Sequence, residues 1–189
     1  MSSLDILTRA TKDFSERLDA VGAHEWDTPT PNDEWNVRQV VAHVVGGNNM
    51  AVALLEGASA EEAKALLDAS ETLDDPVAAF HSSSVAQATA FAQVGALERV
   101  CHHPLMDVSG EQLLGFRFMD LSLHAWDLAR ALRLEETLDE VVVDAVWTNM
   151  SPLAPFIGTL GIFGEGPSGA VSDDAPLQLR LLDLTGRRP

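Results

Sequence analysis

Phe116-Arg-Phe-Met-Asp-Leu-Ser-Leu-His-Ala-Trp-Asp-Leu-Ala-Arg130 is the stretch on which the reading of this chain turns. On an α-helix, residues four apart lie one turn above each other on the same face. Asp120 and His124 therefore point the same way. At 100° per residue, Leu113, Phe116, Asp127 and Ala131 cluster around that direction. The carboxylate and the imidazole thus interrupt an apolar face, where a charged group needs a partner or a metal. Ser109 with Gln112 has the spacing of a capping box and opens this helix, which the pattern carries to Leu132 or Arg133.

The same periodicity predicts further helices. Residues 3–21 place Leu4, Ile6, Leu7, Phe14, Leu18 and Val21 at helical spacing, with Gly22 as the stop. Residues 25–34, with two prolines, read as a loop. Asn36 with Gln39 caps a second helix whose stripe is Val37, Val40, Val41, Val44 and Val45. β-Branched valines weaken helix propensity, but their 3-4-3 spacing favours a buried helix over a strand. Ser59 with Glu62 starts a short helix to about Asp68. Asp74, Asp75 and Pro76 start another, to about Gly95, since proline suits a first helical turn. Residues 100–107 read as an extended connector, and almost nothing reads as a paired strand. A further helix spans about 138–153 and ends at Pro152 and Pro155. Residues 158–175 read as an irregular Gly- and Pro-rich loop, followed by a short helix over 176–185 closed by Gly186. The expected fold is all-α: four long amphipathic helices in a bundle, with shorter helices and a C-terminal extension. One domain is expected over 1–189, with 158–189 packed on the bundle.

The net charge of −17, from only 12 Lys and Arg in 189 residues, leaves no phosphate-tracking surface. Nucleic acid and an anionic membrane are therefore not expected partners. No apolar run reaches the roughly 20 residues of a membrane span, and no basic segment leads an apolar one at the N-terminus. A cytoplasmic location is the resulting expectation. Cys101 is the single cysteine; it forms no intramolecular disulfide and reads as a small buried residue. Tyrosine is absent, so no phenol can act as an acid or an oxyanion donor.

His43 offers a third group, on the edge of the valine stripe of the second helix. Two imidazoles and a carboxylate suit zinc first, with nickel, iron or manganese as alternatives. Three protein ligands leave a position open for water or substrate, as in catalytic sites. From spacing alone, a buried Asp–His hydrogen bond without a metal is the competing reading. His24, His81, His102 and His103 show no such pairing. His102 and His103 are adjacent on an extended segment and point opposite ways.

The stretch Trp35-Asn-Val-Arg-Gln-Val-Val-Ala-His-Val-Val-Gly-Gly-Asn48 resembles the second-helix signature of DinB/YfiT-like proteins. It is closer still to their actinobacterial branch, the mycothiol-dependent maleylpyruvate isomerase-like proteins. There a tryptophan precedes the helix, and a histidine one or two turns in binds a metal; His43 matches it. Asp120-Leu-Ser-Leu-His-Ala-Trp-Asp-Leu-Ala-Arg-Ala131 resembles the family's other ligand helix, with Asp120 and His124 at the ligand positions. The tail 173–187 is similar to the ending of many actinobacterial members. The resemblance spans nearly the whole chain. It implies a four-helix bundle with long crossovers, often a homodimer, with a metal held by His43, Asp120 and His124. It further implies a low-molecular-weight thiol such as mycothiol as cosubstrate, used for S-transfer or isomerisation. The isomerase of the family has glutamate where this chain has Asp120, and many DinB proteins have histidine. The isomerase also has a C-terminal domain that 189 residues are too few to contain in full.

Two function classes follow. One is a metal-dependent thiol transferase or isomerase. The other is a non-catalytic metal-binding or ligand-sensing dimer of the DinB type, suggested by Asp120 and by the lack of a second catalytic group. Asp127 reads either as a carboxylate holding the second nitrogen of His124 or as a salt-bridge partner of Arg130 or Arg38. Trp35 and Trp126 read as core residues or pocket walls. Asn48 and Asn49 follow His43 closely enough to line the same cavity.

Overall fold

Helix α1, Ser3–Leu18, opens with Ser2 and Asp5 exchanging side-chain and backbone hydrogen bonds, which satisfies two of the orphan N–H groups of a helix start. It buries Leu7, Ala10, Phe14 and Leu18 at spacings of three and four. In this computed structural model, residues 1–32, 35–69, 73–159, 163 and 166–189 are described. Helix α2, Val37–Leu55, starts with the same device between Asn36 and Gln39, and all five valines of its stripe are buried. Helix α3 is Ala60–Ala69. Helix α4, Pro76–Phe91, has Asp75 accepting from the N–H of Ala78 and Pro76 in its first turn. Helix α5, Gly110–Leu132, is the longest at 23 residues, capped by Ser109 and Gln112 and closed by Arg133 in the left-handed region at φ 57°. Helix α6, Glu140–Met150, is capped by Asp139. Helix α7 is Leu177–Leu184.

Helices α1, α2, α4 and α5 form the bundle: α5 packs on both α1 and α2, α4 packs on α2, and α1 touches α4. Helix α6 lies against α5, and α7 against α6. The core is aliphatic and aromatic, with Phe14, Phe80, Phe91 and Trp126 among its largest fully buried side chains. Each such side chain contributes about 1.5–3 kcal/mol by leaving water. Phe14 of α1 and Phe80 of α4 meet at 4.8 Å between ring centroids, within the range of favourable aromatic pairs. Among the described residues, no helix is long and apolar enough to cross a membrane.

The segment read as an unpaired connector is a β-hairpin. Strands β1, Val100–His103, and β2, Met106–Ser109, pair antiparallel with Cys101 opposite Val108 and His102 opposite Asp107. Four-residue strands carry too little alternation to stand out from an extended linker. The burial is alternate where it counts, since Cys101 and Val108 face the core. The hairpin delivers the chain into α5 at Gly110, where a Cβ would stand 1.9 Å from the carbonyl oxygen of Ala96. Only glycine allows that approach. Three helices are shorter than periodicity suggests: α1 ends at Leu18, α4 at Phe91 and α6 at Met150. After α6 a 3-10 turn, Ser151–Leu153, carries Pro152. Part of the expected irregular loop, 160–162 and 164–165, lies outside the described residues.

Candidate metal centre

The contact between α2 and α5 brings His43, Asp120 and His124 together, with one ligand atom from each lying within 4.8 Å of the others. His43 Nε2 is 3.1 Å from Asp120 Oδ1, and His124 Nε2 is 3.4 Å from the same oxygen. Donors bound to one tetrahedral ion at zinc distances stand about 3.3 Å apart. The spacings, together with a nitrogen–nitrogen–oxygen donor set, therefore fit a divalent ion. His124 is buried, while His43 and Asp120 are half-buried, so the cluster reaches the surface through these two residues. The ring of Trp35, just ahead of α2, lies 4.6 Å from that of His43 and 5.7 Å from that of His124. Trp35 is the wall of this site, whereas Trp126 is a core residue with Arg130 over its ring at 4.6 Å.

Each partner on α5 is aimed by a second group. His124 Nδ1 is 2.8 Å from Asp127 Oδ2, so Asp127 fixes the ring and leaves Nε2 facing Asp120. Asp127 is in turn gripped by Arg187, whose Nε and Nη2 donate to its two oxygens at 2.9 and 2.7 Å. Asp120 gives its other oxygen, Oδ2, to Arg117 Nη1 at 2.9 Å. Arg117 is itself buried and spends its remaining donors on Gln87 Oε1, the carbonyl of Val44 and Asn48 Oδ1. Gly47 makes room for it, since a Cβ there would stand 2.2 Å from Arg117 Nη1.

The charges reinforce this geometry. Burial alone would raise the Asp120 carboxyl, but His43, Arg117 and His124 around it hold it well below its usual range. Burial likewise works against a charged His124, yet Asp120 and Asp127 on either side push it up to about 9. Asp127 would rise with burial, but Arg187 and His124 lower it. Without an ion, the cluster is thus a chain of alternating charges across one side of α5.

Asp127 both holds His124 and forms a salt bridge, but with Arg187 rather than Arg130 or Arg38; Arg130 pairs with Glu136, and Arg38 lies over Trp26. Asn48 is fully buried against Ser83, Ser84 and Arg117, so it supports the site from behind. Asn49 is half-buried. His102 pairs with exposed Asp107, and His103 turns to the other face against Phe116. Burial, and then the charge of Arg117, lower His103. Cys101 is buried, and burial raises its thiol. Sequence reading missed Arg117 and Arg187. Arg117 is visible in hindsight as an i,i+3 partner of Asp120. Arg187 lies 60 residues from Asp127 and carries no local signal.

The model of the mycothiol maleylpyruvate isomerase N-terminal domain matches residues 7–129, well over half of the chain. Uncharacterised proteins from two strains of Mycobacterium tuberculosis are each 30% identical over 169 residues, covering 89% of this chain and 85% of theirs. The crystal structure of the mycothiol-dependent maleylpyruvate isomerase superposes with a TM-score of 0.65 at 18% identity, over 82% of this chain and 68% of that one. A histidine-to-alanine mutant of that isomerase gives a TM-score of 0.62. At that identity the likeness speaks for the fold, a DinB-like helical bundle. This chain belongs to the mycothiol maleylpyruvate isomerase N-terminal domain family.

Proposed function

We propose that the chain is a divalent-metal-dependent enzyme that uses a low-molecular-weight thiol of the mycothiol type for isomerisation or S-transfer. The observation that carries this reading is that Oδ2 of Asp120 and Nδ1 of His124 are both engaged elsewhere, while the remaining donors converge with the imidazole of His43. His43, Asp120 and His124 would hold the ion, with zinc first by donor chemistry and nickel second. When bound, such an ion supplies Lewis acidity that favours the thiolate form of a thiol at neutral pH. Asp127 orients His124, Arg117 orients Asp120, and Trp35 shields the imidazoles on the outer side and narrows the approach. Membership of the family and the similarity to an isomerase named for mycothiol support the choice of thiol.

A second reading has its own observation. The acids and bases beside the three donors, Arg117 and Asp127, are buried and already paired, which leaves neither free to move a proton. A bundle of this kind could bind a metal and a thiol without turnover, as a sensing module or homodimer.

Elemental analysis of purified protein, with His43→Ala as control, tests the metal. One divalent ion per chain, lost in the variant, is expected; an equal metal content in both would defeat the reading. Maleylpyruvate and a panel of electrophiles, each with and without mycothiol, then separate the enzyme from the module. Thiol-dependent turnover supports the first, and thiol binding without turnover supports the second.

A further inference from the structure

We infer that Arg117 makes this centre selective for anionic over neutral outer ligands, and that it does so through its charge. The inference rests on the metal reading above and deepens it. Arg117 is 4% exposed, and among the described residues its one carboxylate partner is Asp120, through Nη1 to Oδ2 at 2.9 Å. Its other contacts, with Gln87, the Val44 carbonyl and Asn48, are neutral and cancel no charge. The second nearby pair, Asp127 with Arg187, is balanced within itself. A divalent ion held by two neutral imidazoles and Asp120 would carry a net charge of about +1 by formal count. With Arg117 counted in, the buried cluster carries about +2. The extra unit sits behind the ligands and is held in place by groups from α2, α4 and α5.

A cation so placed has two effects. It opposes the ion itself, so the metal is held less tightly than by the same three donors alone. It also attracts any negative group that completes the coordination, and a thiolate is such a group. In a protein site of effective dielectric about 20, one full charge at this range changes the affinity of an anion by roughly tenfold or more. The guanidinium also takes Asp120 Oδ2, which leaves the carboxylate a single oxygen, Oδ1, turned toward the imidazoles. A site built this way suits a ligand that arrives as an anion.

The test uses the cobalt-loaded protein and two small probes, azide as the anion and imidazole as the neutral ligand, each followed by the visible absorption of cobalt. In the native protein azide is expected to bind in preference to imidazole. In Arg117→Gln the azide-to-imidazole affinity ratio is expected to fall at least tenfold, with imidazole affinity held within about threefold. Equal loss of both probes would mean that Arg117 only shapes the site and would overturn the inference. Arg117→Lys guards against a Gln variant that does not fold. It keeps the charge and gives up the forked geometry, so the preference for azide should survive; its loss there would also overturn the inference. A native protein that takes up no cobalt would instead defeat the metal reading on which the inference stands.

Discussion

Two aspartate–arginine pairs flank His124 on α5, and they are built differently. Asp127 gives both oxygens to Arg187 and one of them also to His124. Nothing of that carboxylate is left for an outside ligand. Asp120 gives Arg117 one oxygen and turns the other toward both imidazoles. The residues lie seven apart on one face of one helix, and each is paired with a buried or nearly buried arginine. What separates a support from a candidate ligand is therefore the oxygen that its arginine leaves unused. Pairing alone would rank the two carboxylates alike, and burial follows the same division, with the Asp120 side chain 17% exposed and that of Asp127 1%.

The largest effect should come from Asp120→Ala, which strikes the open pair. It removes the donor shared by the two histidines and leaves Arg117 buried without its ionic partner. Breaking a buried pair from one side costs about 3–5 kcal/mol, so the metal-free variant should melt well below the native protein in a calorimetric scan. Divalent metal affinity, measured by competition with a chromophoric chelator, should fall by about a hundredfold or more. Retention of native metal affinity would show that Asp120 is a salt-bridge residue like Asp127.

Next comes the pH dependence of the metal-free protein. His124 is raised to about 9, above the ordinary histidine value of about 6.5. A raised pKa in the folded state stabilises fully below about pH 6.5, and that stabilisation is lost as pH climbs through about 9. Urea titrations of metal-free protein should thus show stability dropping by up to about 3 kcal/mol across that window. His124→Gln should flatten the slope there. A native profile that stays flat from pH 6.5 to 9 would mean that Asp120 and Asp127 do not hold His124 as a cation. Over the same window, ion affinity should rise, because a ligating imidazole must first lose its proton.

Much of this arrangement was legible in the sequence, and the limits have physical causes. The capping boxes at Asn36–Gln39 and Ser109–Gln112 are local chemistry and formed as spaced. The i,i+4 relation of Asp120 and His124 follows from helix geometry once α5 exists. His43 depends on how α2 docks against α5, which no spacing within one helix encodes; only the resemblance around Trp35 tied it to the pair. The hairpin escaped because its strands are four residues long and it leaves an apolar side chain exposed on each face, Val100 on one and Met106 on the other. Arg187 escaped because its role depends on the residues after α7 reaching back to Asp127 of α5, a contact made through tertiary packing alone.

The closed pair should respond more mildly. Asp127→Asn keeps an acceptor for His124 and discards the charge that matches Arg187. Loss of such an outer carboxylate lowers metal affinity by about 10–100-fold. Arg187→Gln leaves Asp127 in place on His124, so its effect should sit at or below the low end of that range. Chelator competition on the two variants ranks them. An Arg187 variant that loses more affinity than the Asp127 variant would mean that the arginine acts on the site by a route other than Asp127.

The smallest effect serves as the control for both pairs. Arg9 of α1 and Asp139, the cap of α6, also form an aspartate–arginine contact, at 2.6 Å, but the Arg9 side chain is 44% exposed. Water screens the charges, and the long side chain loses freedom in making the contact, so a pair of this kind contributes about 0–1 kcal/mol. Asp139 also accepts from the N–H groups of Val141 and Val142, so the cap survives the loss of its arginine. Arg9→Ala should therefore shift the urea midpoint slightly and leave metal affinity and the azide-to-imidazole ratio unchanged. A change in either site readout would show that charge anywhere on this acidic surface tunes the centre. The difference between the two buried pairs would then reflect net charge rather than the oxygen that each arginine leaves free.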